Sequence, residues 1–165
     1  MILLFLDFDG VLHPALNYRR NNFCQLPIFE AVMREHHEVS IIISSSWRHI
    51  YSLAELKAFF SADIAERING MTGNSNGKQR YVEITHYLEQ HVVEGTPWLV
   101  LDDNVFGFPS RWTNLVLCDS RIGLTPITAG ALHEKICMAR MGYDVTDPRG
   151  VGNDGRRTLR PCRQS

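Results

Sequence analysis

Residues 2–12 read ILLFLDFDGVL, an apolar run that stops at Asp7-Phe8-Asp9-Gly10. A strand that ends this way sets two carboxylates at the edge of a sheet. Side chains alternate along an extended chain, and this chain turns at Gly10. Asp7 is therefore expected to face a ligand, with Asp9 approaching the same ligand from the turn. Buried unpaired acids are costly, so core packing does not explain the pair. A metal, a phosphate or both would.

Apolar runs and helical patterns then take turns along the chain. Residues 13–26 have no clear period and read as a loop. Pro27 opens a helix with Ile28, Val32, Met33 and His36 on one side. Val39-Ser40-Ile41-Ile42-Ile43 is β-branched on both faces, as in a covered parallel sheet. It runs into Ser44-Ser45-Ser46-Trp47-Arg48. Residues 51–60 read as one helix. Residues 61–78 are irregular, with room for a short hairpin around Ile68-Asn69-Gly70-Met71 and a turn-rich GNSNGK. A helix is expected from Gln79 to His91, a strand over Pro97–Leu101 ending in Asp102-Asp103, and a strand over Asn114–Cys118 ending at Asp119. Thr125-Pro126 starts a last helix. The pattern predicts an α/β fold: a Rossmann-like, mainly parallel sheet flanked by helices, with right-handed crossovers.

In such sheets ligands bind beyond the carboxyl ends of the strands. Here those ends carry Asp7/Asp9, Ser44–Ser46, Asp102/Asp103 and Asp119, one oxygen-rich rim. Oxygen ligands select a hard cation, Mg²⁺, held by Asp7 and one of Asp102 and Asp103. Mg²⁺ offsets the repulsion between an attacking carboxylate and a phosphoryl group. Serine hydroxyls and backbone N–H groups hold the phosphoryl oxygens, and Asp9 protonates the leaving oxygen. The cationic clamp is Lys78 or Arg80. Arg80 fits better by position, four residues before Ile84 on the same helical face. His13 contacts substrate or packs the loop. Trp47 packs in the core, and Arg48 meets either phosphate or an ion-pair partner. Asp119 forms a turn or sits in the metal's outer shell. His36, His37, His49, His86, His91 and His133 show no metal-ligand spacing and read as structural.

At 44% apolar and 21% charged residues, the 165-residue chain suits one domain with a hydrophobic core. No apolar run approaches the roughly 20 residues needed to span a bilayer, so no membrane partner is expected. Cys24, Cys118, Cys137 and Cys162 contain no CxxC pair and suggest neither a zinc site nor a disulfide framework. A reducing cytoplasm is the simplest home. Residues 148–165 carry five arginines and one acid, a net charge of +4, while residues 1–147 carry a net −5. The division expected is a catalytic domain over 1–147 and a basic tail over 148–165, either solvated or touching phosphates. The oligomeric state is left open, with a lean to a monomer.

These marks together resemble the haloacid dehalogenase (HAD) superfamily of phosphatases and phosphotransferases. They are Asp7-Phe8-Asp9-Gly10-Val11, the serine after the Val39–Ile43 strand, the basic residue opening the Gln79–His91 helix, and Leu101-Asp102-Asp103. The resemblance implies an aspartyl-phosphate on Asp7. Asp9 then acts as acid and base, its backbone carbonyl helping to bind Mg²⁺. Asp102 is a direct metal ligand, and Asp103 sits in the outer shell or orients water. The motif serine is Ser44 or Ser45, and the Ser-x-Trp spacing to Trp47 favours Ser45. The basic residue is usually lysine, which speaks for Lys78. The segments DGVLHP, SSWR, Arg80 to Ile84, LDD and Gly123-Leu124-Thr125 resemble a capless group that includes HAD-like domains associated with RNA-repair proteins. Neither Gly10–Val39 nor Trp47–Lys78 is long enough for a separate lid, and Arg19, Arg20, Arg48 and Arg111 are available to line an open mouth. The implied partner is a phosphorylated small molecule or a nucleic-acid end. The alternatives are a binding module with little turnover and a transferase to a non-water acceptor.

Overall fold

The computed structural model describes residues 1–16, 22–73, 79–109 and 112–143. Arg19, Arg20, Lys78, Arg111 and the basic tail 148–165 lie outside the described residues. In chain order the elements are β1 (Ile2–Leu6), α1 (Leu26–Glu35), β2 (Val39–Ile43), α2 (Leu53–Lys57), α3 (Ala62–Ala65), β3 (Ile68–Met71), α4 (Arg80–His91), β4 (Trp98–Asp102), β5 (Leu115–Leu117) and α5 (Pro126–Arg140). Short 3₁₀ turns cover Ser46–His49 and Val105–Gly107. All strand pairs are parallel, in the order β3-β2-β1-β4-β5. This is a Rossmann-like α/β sheet flanked by helices, with no large cap insertion. The strand order reverses between β1 and β4. The carboxyl ends of those two strands therefore flank the crevice where open α/β sheets bind ligands.

The apolar strands divide cleanly by parity. Leu4, Leu6, Ile41, Ile43, Leu99 and Leu101 face the larger core, where they meet Phe29 and Met33 of α1, Leu56 of α2, Ile64 of α3 and Leu132 and Ile136 of α5. Leu3, Phe5, Ile42 and Val100 face the other way, onto Ile84, Tyr87 and Leu88 of α4 and onto Phe108 and Trp112. Burial of each such aliphatic side chain contributes about 1.5–3 kcal/mol. Helix starts follow the local chemistry. Prolines occupy the first turns of α1 and α5. Thr125 accepts from the Thr128 N–H at 3.2 Å, and Ser52 with Glu55 forms a capping box on α2.

Two local expectations change. Residues 51–60 do not form one helix: α2 stops at Lys57, and α3 begins at Ala62 after a turn. The segment around Ile68–Met71 is not a hairpin but a fifth parallel strand at the sheet edge. Asn69-Gly70 looks like a hairpin turn. A Cβ at Gly70 would lie 2.9 Å from the Tyr87 hydroxyl of α4, so a larger residue there would displace that ring. Asn69 Nδ2 donates to Ser40 Oγ at 2.7 Å, and a register shift between Ile41 and Ile42 absorbs the misfit.

Arg67 locks this edge strand to the rest. Its guanidinium donates to the carbonyls of Met33 (2.5 Å), His36 (2.6 Å) and Val39 (2.9 and 3.1 Å). It thereby ties the end of α1 to the starts of β2 and β3. Arg67→Met removes these charge-assisted bonds and should cost about 2–3 kcal/mol. In urea unfolding this appears as a lower midpoint with an unchanged slope.

Candidate active site

The sheet ladders continue one residue beyond the strands. Asp7 N–H donates to Leu101 O at 3.0 Å, Ser44 N–H to Leu6 O at 2.9 Å and Thr72 N–H to Ile43 O at 2.9 Å. Thr72, Ser44, Asp7 and Asp102 thus stand in one row across four strand ends. Asp7 shares the parity of Leu3 and Phe5, Ser44 that of Ile42, Asp102 that of Val100 and Thr72 that of Gly70. Strand alternation therefore sends all four side chains to the α4 side. All four are buried, at 0–4% exposure. Burial of this much oxygen needs a partner, and α4 supplies one at its first residue.

Arg80 Nη2 lies 3.1 Å from Asp7 Oδ2, and Nη1 lies 3.3 Å from Asp102 Oδ2. The other oxygen of each acid is held by backbone: Phe8 N–H donates to Asp7 Oδ1 at 2.8 Å and Asn104 N–H to Asp102 Oδ1 at 2.9 Å. One oxygen from each of Asp7, Asp102 and Asp103 lies within 4.8 Å of the others. Three carboxylates face one guanidinium, so negative charge is in excess. Burial, and then the Asp7 charge, pushes the Asp102 carboxyl up to about 7 against the opposing pull of Arg80. Asp103 is raised for the same first two reasons. Asp102 Oδ2 and Arg80 Nη1, although close, make no hydrogen bond among the described residues. An oxygen-only donor set with surplus charge and an unsatisfied buried oxygen fits a hard divalent cation. Gly10 makes the close approach possible. Its φ is +69°, and a Cβ there would lie 2.0 Å from Asp103 Oδ2.

Asp9 is turned elsewhere, and its carboxylate is not part of the three-acid cluster. His13 Nε2 lies 3.1 Å from Asp9 Oδ1, and Trp47 Nε1 donates to Asp9 Oδ2 at 2.9 Å. Phe23 N–H donates to His13 Nδ1 at 3.4 Å, so Nε2 carries the proton toward Asp9. The His13 hydrogen bond, helped by Trp47, holds the Asp9 carboxyl below its usual range despite burial. His13 and Trp47 do pack, against Phe8, Phe23 and each other. They also aim Asp9. The four-residue step from Asp9 to His13 is visible in sequence, whereas the 38-residue separation of Trp47 gives no such signal.

Ser45 Oγ caps the 3₁₀ turn, accepting from Trp47 N–H at 3.4 Å. Ser44 Oγ and Thr72 Oγ1 are buried and have no hydrogen-bond partner among the described residues. Thr72 was missed by sequence reasoning because its segment read as a hairpin. Arg48 does not line a mouth. It pairs with Glu83 of α4 at 2.5 Å and donates to the carbonyls of Ser44 and Ser45, both at 2.7 Å. It thereby fastens the serine turn to the helix that carries Arg80. Asp119 takes the turn role, bonding Arg121 N–H at 2.9 Å and its guanidinium at 2.7 Å, which pulls its carboxyl down to about 2. The one rim acid expected from β5 therefore stands apart from the cluster. Among the described residues no helix is long and apolar enough to cross a membrane.

Residues 3–129 match a family described as the HAD domain in Swiss Army Knife RNA repair proteins. Comparisons with curated proteins and with solved structures find no match. The matched stretch runs from β1 into α5, covers well over half of the chain and contains every acid of the cluster. With the parallel sheet and the acids at its switch point, this match shows that the chain belongs to the HAD superfamily, as a HAD domain of the Swiss Army Knife RNA repair type.

Proposed function

We propose that this domain is a Mg²⁺-dependent phosphomonoester hydrolase working through an aspartyl-phosphate on Asp7. The observation that carries the proposal is the buried row at the switch point, in which Arg80 bridges Asp7 and Asp102. In this reading an Asp7 carboxylate oxygen attacks phosphorus. The bond from phosphorus to the leaving oxygen breaks, and Asp9, turned from His13 and Trp47 toward the substrate and protonated in that state, gives its proton to that oxygen. Asp9 then takes a proton from water, which attacks the acyl phosphate, releases inorganic phosphate and restores the Asp7 carboxylate. Asp7 and Asp102 would hold Mg²⁺, with the Asp9 backbone carbonyl as a further ligand and Asp103 beside them. The ion supplies charge neutralisation for an anionic substrate. In this reading Arg80, which now faces Asp7 and Asp102, pairs with phosphoryl oxygens of the substrate. Lys78 offers a second cation from outside the described residues.

The substrate favoured is a nucleotide or a nucleic-acid end. Phe106 supports this, being 86% exposed on the 3₁₀ turn directly after the LDDN strand end. Gln79, which precedes Arg80, donates to its carbonyl at 3.5 Å. An exposed aromatic ring beside a phosphate site suits a stacked base.

Three measurements test this reading. Phosphate release from an aryl phosphate should require Mg²⁺, stop with chelator and fall about 10³-fold or more in Asp7→Asn; full activity in that variant overturns the mechanism. If substrate binds but phosphate never appears, the binding-module alternative is favoured, and phosphorylated alcohol products point to transfer. Between the two serines, Ser44→Ala should lower kcat/KM more than Ser45→Ala, because the Ser44 hydroxyl is uncommitted. The reverse order restores Ser45. Phe106→Ala should raise KM about tenfold for nucleotide substrates, in line with about 1–3 kcal/mol per stacked base, and leave aryl phosphate hydrolysis unchanged.

A further inference from the structure

At the opposite end of the sheet lies a second cluster of donor atoms. His36 follows α1 and precedes β2, so it sits at the amino edge of the strands, at least one strand length (about 17 Å) from the acids. It is 2% exposed. His133 and Cys137 lie four residues apart on α5 and so share a face of that helix. His36 Nε2 is 3.0 Å from His133 Nδ1, and Cys137 Sγ is 3.7 Å from His133 Nε2. One donor atom from each of the three lies within 4.8 Å of the others.

We propose that His36, His133 and Cys137 form a zinc site, separate from the acidic site and structural in role. Tetrahedral zinc, with bonds of about 2.0–2.3 Å, sets its nitrogen and sulfur ligands roughly 3.3–3.7 Å apart. His133 meets its two neighbours through different ring nitrogens; one donor atom from each residue already lies within 4.8 Å of the others, and closure by about 1 Å reaches tetrahedral spacing. Nitrogen and sulfur donors select zinc over Mg²⁺. Glu35 lies beside the group without belonging to it, its Oε2 3.3 Å from His133 Nδ1, so the fourth position falls to solvent or to that carboxylate after a side-chain movement.

An independent observation points the same way. His36 Nδ1 and Glu38 Oε1 are both buried without a hydrogen bond, and they face each other at 3.7 Å. A histidine that ligates through Nε2 carries its proton on Nδ1 and gives it to a nearby carboxylate. Metal on Nε2 fixes the tautomer with the proton on Nδ1, for which Glu38 Oε1 is the facing acceptor once the 3.7 Å gap closes. Arg140, with Nη1 3.8 Å from Glu38 Oε1 and Nη2 4.0 Å from Cys137 Sγ, steadies the carboxylate and the thiolate. The thiol proton is released to solvent as the ion binds.

The test is Co²⁺ and Zn²⁺ titration of the metal-free full chain. One equivalent of Co²⁺ should give a near-ultraviolet thiolate-to-cobalt band, removed by one equivalent of Zn²⁺ and unmoved by millimolar Mg²⁺. The band should survive in Asp102→Asn and in a Cys24→Ser/Cys162→Ser background. Cys137→Ser should abolish it, and His133→Ala should weaken Zn²⁺ binding by more than the about 10–100-fold that loss of an outer-shell partner costs. Glu38→Gln should fall within that range. Absence of the band in the unmutated chain overturns the site without reliance on any variant folding. A band that persists in Cys137→Ser, or that disappears in the Cys24→Ser/Cys162→Ser background, overturns it equally.

Discussion

Two buried carboxylates share one guanidinium at the centre of this molecule, and much of the surrounding structure serves that arrangement. Asp7 and Asp102 stand at the ends of the neighbouring strands β1 and β4, where the parallel ladder forces them close. Like charges in a place of low polarity repel strongly unless something offsets them. Arg80 does so in part; burial first, and then the Asp7 charge, still hold the Asp102 carboxyl above its usual range. The position of Arg80 depends in turn on α4. That helix is held by its apolar face against Phe5, Ile42 and Val100 and by the Arg48–Glu83 pair. Arg48 also grips the carbonyls of Ser44 and Ser45. The guanidinium facing Asp7 and the serine turn beside it are therefore parts of one braced unit.

The two faces of the sheet divide the labour. The larger core, under α1, α2, α3 and α5, carries most of the apolar burial and no member of the acidic row. The α4 face has a smaller core and gives its outer edge to oxygen atoms. A one-residue slip of β1 would turn Asp7 into the larger core and Leu6 toward Arg80. The continuous burial of β1 between two neighbours pins the register that function needs.

Most of the fold was legible in the sequence. Strands over residues 2–6, 39–43 and 98–102 lie in short apolar runs, the second rich in β-branched residues, and helix starts at Pro27 and Thr125-Pro126 carry their own signals. The edge strand Ile68–Met71 was not legible. It is short, contains Asn69-Gly70 and is stabilised by Arg67 and Tyr87, both parts of contacts that form only in the folded chain. In the site, Asp7, Asp102, Asp103 and Arg80 were all marked in advance and are brought together. Asp9 was marked, but the aim of its carboxylate toward His13 and Trp47 was not. Thr72 carried no mark because its strand carried none. The histidines show no local metal-ligand spacing, and the contact of His36 with His133 spans 97 positions, beyond the reach of a local pattern.

What the chain alone determined was the set of strands and helices, their alternation and the acids placed where strands stop. These depend on periodicity, turn chemistry and charge, which act over a few residues. Which acids converge, which hydroxyls are left without partners among the described residues, and which arginine pairs with Glu83 rather than with the acids were decided only by tertiary structure. Strand order and pleat parity fix those relations, and they bring together atoms far apart along the chain.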